Sequence, residues 1–145
     1  MAWTVAGILI MTAVAFTHPT RWRFAGRAVY GISLLSLLGV LIFGLTVRGT
    51  TGWFSIAGIR IQPVEAAKFA LLIILARFIA EHMQMSRQWK MFWRSGLIVV
   101  PALVLVLVQP DIGSASVLVV LWFGLMFAAG IKRSHLFIMG ATGAL

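Results

Sequence analysis

Long apolar runs separated by short polar links set the organisation of the chain. A helix that crosses a hydrocarbon layer about 30 Å thick needs about 20 mostly apolar residues at 1.5 Å per residue. Five runs approach that length: Ala2 to Thr17, Ala28 to Val47, Val64 to Ala80, Phe92 to Val108 and Ile112 to Ile131. The start of a sixth covers Leu136 to Leu145. The links are short and hold no low-complexity tract or internal repeat. Residues 1–145 therefore read as a single all-α integral membrane domain, a polytopic bundle whose backbone polar groups are satisfied inside its helices. The first run has the look of a signal h-region, but no basic segment precedes it and no small-residue cleavage site follows, so it reads as a retained span.

Composition agrees with this pattern. The chain is 61% hydrophobic and 10% charged, with a mean hydropathy of +1.04, too apolar for a water-soluble domain of this length. The net charge of +9 does not point to nucleic acid, because the basic residues sit in short clusters between apolar runs and form no stripe along one face. Arg21, Arg23 and Arg27 fill one link, Arg87, Lys90 and Arg94 another, and Lys132 and Arg133 the last. The positive-inside rule places these links in the cytoplasm. The intervening links hold only Arg48 and Arg60 as cations and fall outside, together with the N-terminus. An outside N-terminus without a cleaved signal points to a helix upstream of Met1 or to a natural start elsewhere. Trp53 and Phe54 suit an aromatic anchor at the outer headgroups, and Trp89, Phe92 and Trp93 a matching inner belt with membrane lipids. With no cysteine there is no disulfide or thiolate metal site.

Three acids exist, Glu65, Glu81 and Asp111, and two of them follow a Gln-Pro pair at the outer edge of a span. In Gln62-Pro63-Val64-Glu65 the proline suits the first helical position, so a helix starts there with Glu65 in its first turn. Gln109-Pro110-Asp111-Ile112-Gly113 repeats the design where one span turns tightly into the next. Either carboxylate can simply stabilise a helix N-terminus, by about 0.3–1 kcal/mol. Lys68 changes the reading for Glu65, since it lies three residues on and shares the same helical face. Ionisable residues within a span face a protein interior or polar cavity and mark a functional site by default, with a structural ion pair as the rival. Arg60, in the alternating segment Gly49 to Arg60 that suits a short interfacial hairpin, can meet a phosphate or a lipid headgroup. Arg77 and Glu81 suit a helix-surface pair. His18, His82 and His135 make no metal-ligand pattern. Ser114, Ser116, Ala128, Ala129 and Gly130 suit close helix packing.

The two Gln-Pro motifs resemble those of the SEDS family, the shape, elongation, division and sporulation proteins that polymerise bacterial cell-wall glycan. Gly49 through Lys68 is similar to the family's glycine, tryptophan and Gln-Pro-x-Glu-x-x-Lys helix start. Gln109 to Ser114 is similar to its Gln-Pro-Asp-hydrophobic-Gly-Thr/Ser element, and Ala76-Arg77-Phe78-Ile79 is closer to the rod-shape branch, RodA, than to the division branch, FtsW. Val64 stands where the family has serine, and Gly52 where an arginine precedes the tryptophan. The resemblance implies part of a fold of about ten spans in the bacterial cytoplasmic membrane. It also implies glycosyl transfer at the outer leaflet on lipid II, a disaccharide-pentapeptide carried by undecaprenyl diphosphate, with a class B penicillin-binding protein as partner. Its catalytic base would be an aspartate in an external loop beyond Leu145. Glu65, Lys68, Gln62, Arg60 and Trp53 would shape the substrate cavity, and Pro63, Gln109, Pro110, Asp111 and Gly113 would be structural, with Asp111 bracing the fourth and fifth spans. No cofactor is implied with certainty, a divalent cation being an option for the leaving diphosphate. The alternative is a lipid II-binding or flipping protein without polymerase chemistry. An unrelated transporter fits less well, because the midplane positions are almost all Leu, Ile, Val, Phe and Ala and offer no polar path.

Overall fold

The computed structural model describes residues 2–16, 19–47, 49–56, 59–82 and 88–131. In chain order these form α1 (Ala2–Ala15), α2 (Pro19–Phe43), β1 (Leu45–Val47), β2 (Thr50–Ile56), β3 (Ile59–Ile61), α3 (Pro63–His82), α4 (Gln88–Val108) and α5 (Ile112–Ala128). Each of the five long apolar runs holds a helix. The stub from Leu136, the histidines His18 and His135, and Arg48, Arg87, Lys132 and Arg133 lie outside the described residues.

The all-α expectation is corrected at one link. Between α2 and α3 the chain forms a three-stranded antiparallel sheet in the order β1-β2-β3, so the expected hairpin is the β2–β3 half of a larger unit. The period-2 alternation of Thr, Trp, Ser and Ile side chains suits a pleated surface that is half covered. β2 lies on the end of the helices, where the Phe54 ring faces Gly39 of α2 so closely that a β-carbon there would stand 3.6 Å from it.

Helices are observed where spans are expected, and their lengths differ. Ala25–Phe43 and Lys90–Val108 are long and apolar enough to cross a membrane. α3 has 20 residues but carries Glu65, Lys68, Arg77 and Glu81, and α5 has 17. The outward faces of the helices are apolar: Leu35 is 68% exposed, Leu97 74% and Val120 70%. Such side chains on the outside, with others like them on the inside, describe helices that are hydrophobic all round.

The core lies where α2, α3, α4 and α5 meet, around Leu37, Leu71, Leu75, Val99 and Leu118, all fully buried. Ala67, Ala102 and Ala115 in the same cluster let the helix backbones approach closely. Pro101 interrupts the hydrogen-bond ladder of α4. Close by, the Tyr30 hydroxyl of α2 donates to the Ile98 carbonyl and its oxygen accepts from the Ala102 N–H.

At the far end of the bundle from the sheet, three expectations change. Phe92 is buried and stacks on Trp122 with ring centroids 4.5 Å apart, so it belongs to the core and not to an aromatic belt; Trp93 is 66% exposed and keeps that part. Gly130 has φ +84° and ends α5. There the Ile131 N–H reaches the Met126 carbonyl at 3.2 Å and the Gly130 N–H reaches Phe127 at 3.0 Å, while Ile131 covers Met126. This is the glycine stop of a helix C-terminus, so Gly130 sets the chain direction, a different role from close packing. Ala128 is exposed, so it too makes no close helix contact among the described residues.

Candidate functional site

The two Gln-Pro motifs come together at the sheet end of the bundle. Gln62 sits in the link between β3 and α3, and its carbonyl accepts from the Glu65 N–H at 3.1 Å. Pro63, whose missing N–H costs nothing at a first helical position, is buried and starts α3. Glu65 therefore falls in the first turn with a fixed backbone. The Lys68 ammonium donates to Glu65 Oε1 at 2.8 Å. The lysine side chain is 18% exposed and the glutamate 56%, so the stem of Lys68 lies along the helix while the carboxylate opens outward.

Asp111 caps α5, with Oδ1 accepting from the Ser114 N–H at 2.9 Å. Its second oxygen, Oδ2, accepts from Gln62 Nε2 at 3.4 Å. Asp111 thus joins the start of α5 to the start of α3. Gln109 is buried, and its side-chain amide donates to the Leu37 carbonyl of α2 at 3.2 Å. Gly113 follows in the first turn, where a β-carbon would stand 3.5 Å from Asp111 Oδ1. Pro110 is exposed between the two helices. The second motif thereby ties α4 and α5 to both α2 and α3.

Trp53 and Arg60 lie on the sheet. Trp53 is half-buried opposite Leu45, and Phe54, also half-buried, packs toward Gly39, so neither is a freely projecting anchor. Arg60 is exposed on β3 opposite Ser55. Gly52 is buried, and a β-carbon there would stand 3.5 Å from Gln109 Oε1 and 4.0 Å from Gln62 Nε2. The strand thus passes directly over both motif glutamines. That convergence was not readable from the sequence, although the spacing of the motifs and the glycine before Trp53 were.

Two further arrangements lie away from this site. Arg77 donates to Glu81 Oε1 at 2.8 Å, the expected surface pair. Fully buried Ser95 accepts from Trp122 Nε1 at 2.8 Å, and its hydroxyl faces the Phe92 carbonyl and Met126 sulfur. No sequence motif marks Ser95; a lone serine in an apolar run is the only signal. Among the described residues no three His, Asp or Glu side chains gather as metal ligands, so the divalent-cation option gains no ligand set from them.

Comparison with known proteins gives a consistent answer. The family described as cell cycle proteins of the FtsW, RodA and SpoVE group matches residues 1–145. A probable peptidoglycan glycosyltransferase FtsW of Shewanella sediminis is 32% identical over 99% of the chain, and the peptidoglycan glycosyltransferase RodA of Treponema pallidum is 28% identical over 94%. The chain spans about a third of the length of these relatives, 35% and 31% respectively. The crystal structure of the rod shape determining protein RodA of Thermus thermophilus superposes with a TM-score of 0.79 and 32% identity, covering 91% of this chain and 44% of that one. A chain from a peptidoglycan synthase complex that coordinates polymerisation and crosslinking gives 0.80 and 32%, covering 96% and 41%. With its whole length matched, both Gln-Pro motifs in place and the helices superposed, the chain belongs to the FtsW, RodA and SpoVE family of cell cycle proteins.

Proposed function

We propose that this chain forms the outer-end substrate region of a peptidoglycan glycosyltransferase that polymerises lipid II, with its five helices as five spans of the bacterial cytoplasmic membrane. The observation that carries the reading is the Glu65–Lys68 pair. A carboxylate 56% exposed on a helix whose neighbouring outward residues include Phe69 and Leu72 has no favourable place against lipid, so it calls for a polar cavity.

The chemistry needs a base for the acceptor hydroxyl and positive charge for the departing diphosphate. Lys68 supplies a cation held in one place by its partner, and Arg60 on the sheet supplies a second at the same end. Glu65 holds Lys68 in place, and can accept from sugar hydroxyls. Trp53 offers an apolar face beside them. The base would come from the external loop that follows the sixth span in the family, and a class B penicillin-binding protein would cross-link the product. In this reading the start of α4, which bears Lys90 and Arg94, faces the cytoplasm and the sheet faces outward.

Polymerisation of fluorescent lipid II by the complete protein tests the reading. Glu65→Ala and Lys68→Ala are expected to abolish product at normal expression. Undiminished polymer from both alanine variants would leave only a structural ion pair. Retained lipid II binding without polymer from the unsubstituted protein would favour the second reading, a lipid II-binding or flipping protein.

A further inference from the structure

The hydrogen bonds at the sheet end form an unbroken series that runs from α5 to the ion pair. Gln62 Nε2 donates to Asp111 Oδ2 at 3.4 Å, the Glu65 N–H donates to the Gln62 carbonyl at 3.1 Å, and Lys68 Nζ donates to Glu65 Oε1 at 2.8 Å. Each acceptor belongs to the residue that carries the next link or to its partner. We propose that Asp111 and Gln62 act as positioning residues: their side-chain clasp locks the first turn of α3 to the first turn of α5 and so fixes where the Glu65–Lys68 pair points.

Three observations support this assignment over a plain helix cap. A cap uses one carboxylate oxygen, and Asp111 Oδ1 already does that work on the Ser114 N–H at 2.9 Å, which leaves Oδ2 for Gln62. Serine would cap as well, so capping alone does not call for the second oxygen. From the helix side Gln62 is held through its backbone carbonyl, which accepts from the Glu65 N–H. Its side chain is the means by which a neighbouring element can hold it. The strand above covers both side chains, since Gly52 is buried and a β-carbon there would meet Gln109 and Gln62 at ordinary contact distance.

The bridge at 3.4 Å is long for a charged acceptor, so its effect is expected in orientation more than in stability. The chain lacks cysteine, which permits a clean test. A nitroxide spin label on Ala66→Cys, an exposed site next to Glu65, reports the motion of the first turn in the protein reconstituted in lipid nanodiscs. Asp111→Ser keeps the cap and removes the bridge, and Gln62→Met removes the other partner at similar shape. Each is expected to raise label mobility by the same amount, and the double variant no further. Asp111→Asn, whose amide can still pair with a turned Gln62 amide, is expected to keep the original spectrum, as is the control Ser116→Ala.

Since the second readout rests on the lipid II reading, it is measured separately in the complete protein. There Asp111→Ser and Gln62→Met should each lower polymerisation about five- to tenfold, the scale of one ordinary net hydrogen bond, with helix content and melting unchanged. An unaltered label spectrum in both single variants, or additive effects in the double, overturns the clasp. Should Asp111→Ser not fold, Gln62→Met and Asp111→Asn decide the same question, as both leave the cap in place. A changed label with active Glu65→Ala would instead sink the lipid II reading and leave the clasp standing.

Discussion

Glu65 and Lys68 are three residues apart, and the helix brings their side chains to 2.8 Å. A surface pair of this kind contributes little to stability, about 0.2–1 kcal/mol, so its energy does not explain its presence in an apolar helix. Glu65→Gln keeps shape and removes charge. If the ion pair is what aims Lys68, that variant should lose most of its polymerisation, and a glutamine enzyme with full activity would show that shape suffices. Tyr30 gives a second residue-scale case. Its hydroxyl donates to the Ile98 carbonyl, three residues before Pro101. Tyr30→Phe should lower stability by about 1–3 kcal/mol, seen as a lower melting temperature in detergent without loss of helix content. The partner cannot be read from residue 30 alone, because the carbonyl lies 68 positions away.

At the scale of elements, the boundaries of the helices were largely legible. Pro63 marks a start because it fits a first turn and not an interior, and α3 begins there, whereas α5 begins at Ile112 with Asp111 as its cap and Pro110 outside the helix. The α5 stop was less legible: Ala128-Ala129-Gly130 resembles a packing motif as much as a stop, and only the φ of +84° at Gly130 distinguishes them. Gly130→Ala should cost about 1 kcal/mol through strain in the left-handed region, with no such penalty at exposed Gly124, where nothing lies within 4 Å. The α4–α5 contact carries the other element-scale prediction. Ser95→Ala would strand the Trp122 N–H in a buried setting and should destabilise by about 1–3 kcal/mol. A shift in Trp fluorescence alongside the lower melting temperature would locate the damage at that contact.

For the whole molecule, the alternation of basic and neutral links gives an orientation that can be measured. With a cysteine-free background, Thr50→Cys on the sheet should react with an impermeant maleimide in intact cells, while Lys90→Cys should react only after permeabilisation; the reverse order would invert the topology. The sequence by itself determined that each of the five long apolar runs holds a helix, the apolar character of their surfaces, the Pro63 start and the Glu65–Lys68 pairing. These depend on local rules: run length, the fixed φ of proline, and a 3.6-residue turn. Tertiary structure alone decided that Asp111 meets Gln62, that Gln109 holds Leu37, that Gly52 lies over both glutamines, and that Phe92 turns inward to Trp122. Those contacts join residues from different helices. In a chain whose helices are apolar on every side, no amphipathic stripe announces which face meets which neighbour, so the packing of the whole bundle makes the choice.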